Sequence, residues 1–163
     1  VGTRELRKNV PFLVDAWQQA RRLSSAVPAL VLVGSLEHLP EAQRNLPGIR
    51  ALSGVTDAEL HALYRQATRL WQPSYAEGFG LPVIEALSVG TPVAVASGTS
   101  LDEITPPSAP RFSPTDRPAL VQLMLDLVSR PTEESPEQRR QWAQRFNHQA
   151  YRRRLTELIE ELK

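Results

Sequence analysis

Apolar positions along the chain switch repeatedly between helical spacing and short continuous runs, and the switching predicts strands alternating with helices. Val10, Leu13, Trp17 and Ala20 recur at helical spacing behind Asn9, a capping residue, with Pro11 in the first turn. Residues 29–33, Ala-Leu-Val-Leu-Val, are an apolar run of the kind buried on both faces of a parallel sheet, closed by Gly34. Residues 36–46 are polar with scattered leucines and predict a short helix, and 49–52 a short strand. Thr56 and Glu59 form a capping-box pattern before a helix that buries Leu60, Leu63, Tyr64 and Ala67. Leu70 and Trp71 make another short apolar run, and 93–96 and 111–112 read as further strands. The last third turns helical. Leu120, Val121, Met124, Leu127 and Val128 share one face of a helix that Pro131 ends. A second helix over 137–146 carries Trp142 and Phe146, and a third carries a narrow stripe of Tyr151, Leu155, Leu158, Ile159 and Leu162. This order predicts one α/β domain over 1–163: a Rossmann-like, doubly wound parallel sheet with helices on both faces and further helices at the C-terminal end.

Composition mainly excludes. The 163 residues are 41% hydrophobic and 23% charged, with a formal net charge of +1, so nothing marks a surface for nucleic acid or an anionic membrane. Cysteine is absent, which removes disulfides, thiolate metal sites and a cysteine nucleophile. No apolar run approaches the roughly 20 residues of a membrane span, and the opening residues do not read as a signal peptide. A cytoplasmic location is the simplest expectation. No Asp-x-Asp motif is present and the three histidines are scattered, so neither a catalytic metal nor another cofactor is expected.

Candidate chemistry centres on residues 73–90, Pro-Ser-Tyr-Ala-Glu-Gly-Phe-Gly-Leu-Pro-Val-Ile-Glu-Ala-Leu-Ser-Val-Gly. An apolar run feeds a loop with Gly78 and Gly80, and a helix follows with Pro82 in its first turn, Gly90 as its left-handed stop and Pro92 beyond. Backbone N–H groups and the helix dipole converge there as an anion cradle. Glu77 and Glu85 frame it. Glu85, read as lying in the first helical turn, serves equally as helix stabiliser or ligand; Glu77 lies where acidic side chains can accept bonds from sugar hydroxyls. Arg7 and Lys8 precede the first helix at the lip of the sheet and read either as solvated surface or as phosphate ligands. The hydroxyls of residues 97–100, Thr99 and Ser100 among them, read either as anion donors or as a plain loop. These segments follow predicted strands and so converge at the strands' carboxyl ends.

Residues 77–86, Glu-Gly-Phe-Gly-Leu-Pro-Val-Ile-Glu-Ala, resemble the Glu-x7-Glu signature of retaining glycosyltransferases of family 4, which have the two-domain GT-B fold. Pro73-Ser74 before the block and Gly90-Thr91-Pro92-Val93 after it are similar to the same pattern, as are Gly2-Thr3 with Arg7-Lys8-Asn9 and the segment opening at Gly54-Val55. The resemblance implies a nucleotide-sugar donor. Gly2, Thr3, Arg7, Lys8 and the backbone of Gly78, Phe79, Gly80 and Leu81 would meet its diphosphate, aided by Thr99 and Ser100. Glu77 would orient the sugar, Glu85 would hold the ribose and Val55 would receive the base. Thr3 stands where many members carry arginine, and Pro106, Pro107 and Pro110 replace an Ala-Gly-rich stretch. The resemblance also implies that an N-terminal acceptor half precedes this segment, that the chain opens near the end of an early central strand, and that the fragment alone is inactive. The Gly-Thr and Arg-Lys-Asn forms lean towards mannosyl or deoxyhexosyl transfer to a glycan or lipid-linked acceptor, with peripheral association of the full enzyme at the inner membrane face left open. Three other readings are a non-catalytic nucleotide-sugar-binding module, a dinucleotide redox domain, whose Gly-x-Gly-x-x-Gly is absent after the first strand, and a GT-B epimerase, for which the Glu-x7-Glu block is foreign.

Overall fold

The structure is a computed structural model that describes residues 1–2, 5–37, 39–130 and 134–161. Its strands are β1 (Leu30–Val33), β2 (Ile49–Leu52), β3 (Leu70–Gln72), β4 (Val93–Ala96) and β5 (Arg111–Phe112). Every pairing among them is parallel: Leu30 opposite Ile49, Leu70 opposite Val93, and Val95 opposite Arg111. The helices are α1 (Val10–Leu23), α2 (Glu41–Arg44), α3 (Asp57–Gln66), α4 (Leu81–Ser88), α5 (Leu101–Ile104), α6 (Arg117–Ser129), α7 (Pro136–Gln144) and α8 (His148–Glu161). Parallel strands with helices on both faces make this an α/β fold.

β4 shows how the layers are held. All four of its residues are buried, Ala94 and Ala96 in one apolar cluster, Val93 and Val95 in the other. Successive side chains of a strand point to opposite faces, so each cluster is one face of the sheet. The first contains Leu13, Val14 and Trp17 of α1 with Leu120, Val121 and Met124 of α6. The second contains Tyr64 of α3, Val83, Ala86 and Leu87 of α4, and Ala143 of α7. Each fully buried valine or leucine contributes roughly 1.5–3 kcal/mol, enough to fix strand register against a one-residue slip.

The sheet is not continuous. β1 pairs with β2, and β3, β4 and β5 form a separate three-stranded group. This changes the burial expected around β1. Leu30 and Leu32 are buried, but Val31 is 43% exposed, so this strand is not covered on both faces. On α3 only Tyr64 is buried; Leu60 and Leu63 are half-buried and Ala67, now the residue after the helix, is exposed. On α6 Leu127 is half-buried and Val128 exposed. These side chains line a cavity of about 680 Å³ between the two strand groups, and that is why their spacing overstates their burial.

Local chemistry sets the helix ends. Thr56 and Glu59 cap α3 reciprocally, and Ser135 and Gln138 do the same for α7. Asn9 precedes α1 but does not cap it: its backbone is left-handed (φ 53°), and its side chain donates instead to the Pro114 carbonyl at 3.0 Å. Gly90 stops α4 with φ 89°, and a Cβ there would lie 2.8 Å from the Arg140 guanidinium. Buried Arg139 donates to the Gly90 carbonyl at 2.7 Å and ties α7 to the same turn. Pro131 and Leu162 lie outside the described residues. α8 buries none of its described residues, and Tyr151, Leu155, Leu158 and Ile159 are exposed.

Candidate functional site

At the carboxyl end of β3 the chain runs through Gln72, Ser74 and Glu77 before α4 begins. The Glu77 side chain is 5% exposed and fully committed. Its Oε1 accepts from Lys8 Nζ at 2.6 Å, Gln72 Nε2 at 2.7 Å and Ser74 Oγ at 2.7 Å. Its Oε2 accepts from Arg7 at 2.7 Å. Burial alone would push this carboxyl up, but the hydrogen bonds from Lys8, Ser74 and Arg7 outweigh it and lower the pKa to about 2. Glu77 is a fixed anion at any ordinary pH.

Both cations come from a short 3-10 turn, Leu6–Lys8, directly before α1. The left-handed turn at Asn9 brings that segment against the β3 loop, where the Tyr75 N–H donates to the Arg7 carbonyl at 2.8 Å. Lys8 is buried, whereas Arg7 is exposed and also donates to Glu5 at 2.6 Å and to the Ala76 carbonyl at 3.0 Å. The hydrogen bonds that Arg7 donates to Glu77 and then to Glu5 raise its pKa above the ordinary value. The two cations thus face carboxylates.

The two glycines do different work. Gly80 is left-handed (φ 97°), and a Cβ there would lie 2.5 Å from Leu101 and 2.8 Å from Ile104, so the start of α4 packs on α5 only without a side chain. A Cβ on Gly78 would meet nothing within 4 Å, which leaves that backbone open to approach. Phe79 and Leu81 are exposed beside it, and Phe79 meets Phe146 edge-on with ring centroids 6.1 Å apart. Ser100 Oγ donates to the Glu77 carbonyl at 2.7 Å and holds the two loops together. Thr99 accepts from the Leu101 N–H at 3.2 Å in its own turn.

Glu85 is the fifth residue of α4, in its second turn, so a role at the helix N-terminus is excluded. Its Oε2 accepts from the Tyr64 hydroxyl at 3.0 Å. Burial and then the Glu85 charge raise the Tyr64 pKa, so the phenol remains a donor. Val55, half-buried, sits in the turn between β2 and α3. Gly2 donates its N–H to the Val33 carbonyl at 3.0 Å, next to Lys8. Thr3 lies outside the described residues. No group of three or more His, Cys, Asp or Glu side chains suited to a metal occurs among the described residues.

Sequence reading missed Gln72, Ser74 as a ligand of Glu77, and Tyr64 as a partner of Glu85. Gln72 had a signal: a 2% exposed glutamine inside a strand must bond to something polar, and it stands five residues before Glu77.

Residues 1–159 match the family described as Glycosyl transferases group 1. The chain belongs to that family. Over 127 residues this glycosyl transferases group 1 chain is 35% identical to O-antigen chain mannosyltransferase B of Escherichia coli, a match covering 74% of this chain and 33% of that protein. It is 34% identical over 88 residues to the MMP alpha-(1->4)-mannosyltransferase of Mycolicibacterium hassiacum, covering 52% of this chain and 21% of the relative. The chain thus spans about a third, or less, of the curated relatives it matches. Among solved structures, sucrose-phosphate synthase from Thermosynechococcus elongatus superposes with a TM-score of 0.76 at 26% identity, over 97% of this chain and 43% of that one. Anabaena Alr3699/HepE in complex with UDP gives 0.74 at 17% identity, over 96% and 46%, a likeness of fold alone. The fold is that of GT-B glycosyltransferases.

Proposed function

We propose that this chain is the donor-binding half of a retaining, family 4 hexosyltransferase that uses a nucleotide sugar, with a mannosyl or deoxyhexosyl donor and a glycan or lipid-linked acceptor. The observation that carries this reading is the convergence of Arg7, Lys8 and Glu77 beside the open Gly78 backbone at the strands' carboxyl end. Departure of a nucleoside diphosphate develops negative charge, and preorganised donors at that point lower the barrier. Lys8 is held rigidly for this. Arg7 is the mobile partner, because its exposed pair with Glu5 is cheap to exchange for phosphate oxygens. Glu77 keeps Lys8 in place, and its Oε2, released when Arg7 turns to phosphate, is the acceptor for the sugar. Glu85, held by Tyr64, is the ribose acceptor. No step needs a metal. The acceptor half belongs to a further domain of the full protein, so this chain alone binds the donor without transferring sugar.

Calorimetric titration with GDP-, UDP-, dTDP- and ADP-sugars tests the reading. Binding of one nucleotide class, lost in Lys8→Ala, supports it; no binding of any nucleoside diphosphate overturns it. Transfer measured in the full-length enzyme separates catalysis from a binding-only module.

A further inference from the structure

Residues 105–110, Thr-Pro-Pro-Ser-Ala-Pro, hold six carbonyls but only three N–H groups, because each proline lacks one. Thr105, Pro106 and Ala109 are buried, so this loop needs more donors than its own backbone supplies. Arg111 provides them. From β5 its guanidinium donates to the carbonyls of Thr105 at 3.1 Å, Pro106 at 3.3 Å, Pro107 at 3.2 Å and Ala109 at 3.0 Å. Its Nε donates to Asp102 Oδ1 at 3.0 Å, and the other oxygen of that carboxylate, Oδ2, accepts from the Gly98 N–H at 2.7 Å. One guanidinium thus ties the proline loop, α5 and the turn after β4 into a unit. The Arg111 side chain is only 27% exposed, so this is more than a solvated surface pair.

That unit lies under the glycine loop. Gly80 packs so closely on Leu101 and Ile104 of α5 that a Cβ there would lie 2.5 Å from Leu101. Ser100, directly before α5, donates to the Glu77 carbonyl at 2.7 Å. With four residues α5 is too short to hold itself as a helix. Its placement depends on side chains that grip it from outside: Trp142 donates to the Ile104 carbonyl at 2.7 Å, and Arg111 to those of Asp102 and Thr105. Gly98 is left-handed (φ 78°) and a Cβ there would meet nothing within 4 Å, which leaves that backbone as open as that of Gly78. We propose that Arg111 is a positioning residue for diphosphate binding: it touches no ligand, and acts through Asp102 and the proline loop to fix the turn 97–100 and α5 against the glutamate loop. This rests on the donor-binding reading above and adds to it a residue outside the cleft. The prolines at 106, 107 and 110 and the arginine at 111 then form one device, a stiff loop and the donor that satisfies it.

Charge and position predict opposite signs at Asp102. Asp102→Asn removes a negative charge near the proposed diphosphate, which by electrostatics alone should tighten an anion. If Asp102 links the Gly98 turn to Arg111, the same change weakens it. Calorimetry with GDP, UDP, dTDP and ADP, each beside its nucleoside, is run on the chain as it stands and on Asp102→Asn, Arg111→Met and Arg111→Lys. All three variants should weaken whichever diphosphate binds by roughly tenfold, the scale of a lost hydrogen bond to a charged group, and leave the nucleoside unchanged. Lysine keeps the charge but not the planar fork, so it should not rescue. Amide exchange without nucleotide should quicken by roughly tenfold or more at Gly98 and Thr105 and stay the same in α1. Tighter diphosphate binding by Asp102→Asn, or full rescue by Arg111→Lys, overturns the proposal, since charge then accounts for the effect. Equal losses of diphosphate and nucleoside, or faster exchange that spreads into α1, overturn it in favour of a general stabilising role. Diphosphate binding that no variant changes overturns this proposal alone, whereas an unaltered chain that binds no nucleoside diphosphate overturns the functional reading with it. If Arg111→Met fails to fold, Asp102→Asn and Arg111→Lys carry the same comparison.

Discussion

Lys8 and Glu77 stand 69 positions apart in the sequence and meet at 2.6 Å, both buried, at the carboxyl end of the central strands. The pair welds the segment before α1 to the loop before α4, so the geometry of the proposed anion cradle depends on it. Removing one partner of a buried pair leaves the other charge poorly compensated, at a cost of about 3–5 kcal/mol. Lys8→Met should therefore lower stability by that order in denaturant unfolding. Arg7→Ala, at a solvent-screened cation, should lower it less than Lys8→Met does.

Acid should dissolve the same contact. The Glu77 carboxyl ionises at about 2, below its ordinary 4.5. A depressed carboxylate stabilises the fold fully above its unfolded value and loses that contribution as pH falls towards the folded one. The Tm difference between the native chain and Glu77→Gln should be flat above pH 4.5 and narrow between pH 4.5 and about 2. A difference that stays constant through that window would show that the pairing contributes nothing.

Diphosphate binding should separate the two faces of Arg7. Arg7→Ala and Lys8→Ala should weaken a nucleoside diphosphate far more than the free nucleoside, because charge-assisted bonds to phosphate are the strong ones. Glu5→Gln should act in the opposite direction and tighten the diphosphate, since Glu5 competes for Arg7 at 2.6 Å. Calorimetry that finds equal losses for nucleoside and diphosphate would return Arg7 and Lys8 to ordinary surface charge.

The two glutamates should divide the donor. Glu85→Gln should weaken nucleotide and nucleotide sugar alike by roughly 1–3 kcal/mol, and Tyr64→Phe, which frees Glu85 Oε2, should show a smaller loss of the same kind. Glu77→Gln keeps a side-chain oxygen for Lys8 and should affect turnover of the full-length enzyme more than nucleoside diphosphate affinity. Binding assays on both variants, checked for folding by thermal melts, decide this. Loss of the bare diphosphate in Glu77→Gln with Glu85→Gln unaffected reverses the assignment.

Gly78 and Gly80 should fail differently. Gly80→Ala places a Cβ 2.5 Å from Leu101 at a left-handed φ, so it should lower Tm sharply. Gly78→Ala meets no neighbour and should melt normally while weakening the diphosphate, because the proposed donor site opens there. Equal Tm losses in the two variants would contradict the distinction.

The sequence by itself determined the order of elements, because strand and helix periods are local: the run at 93–96, the Thr56–Glu59 cap and the Gly90 stop all appear where the residues put them. It also placed the site segments at strand ends, since turn chemistry follows each apolar run. What tertiary structure alone decided is partnership. The resemblance proposes phosphate for Arg7 and Lys8 and sugar for Glu77, but nothing in the sequence says that all three bind one another, with Gln72 and Ser74 completing the set. The sequence could not reveal that Asn9 turns left-handed and bonds to Pro114, 105 positions on, or that Glu85 sits a turn deeper in α4 beside Tyr64. The apolar spacing of Val31, Leu63 and Leu127 announced burial, yet these residues border a cavity. Periodicity records which face of an element is meant to be covered; whether a neighbour covers it is a property of the packed sheet.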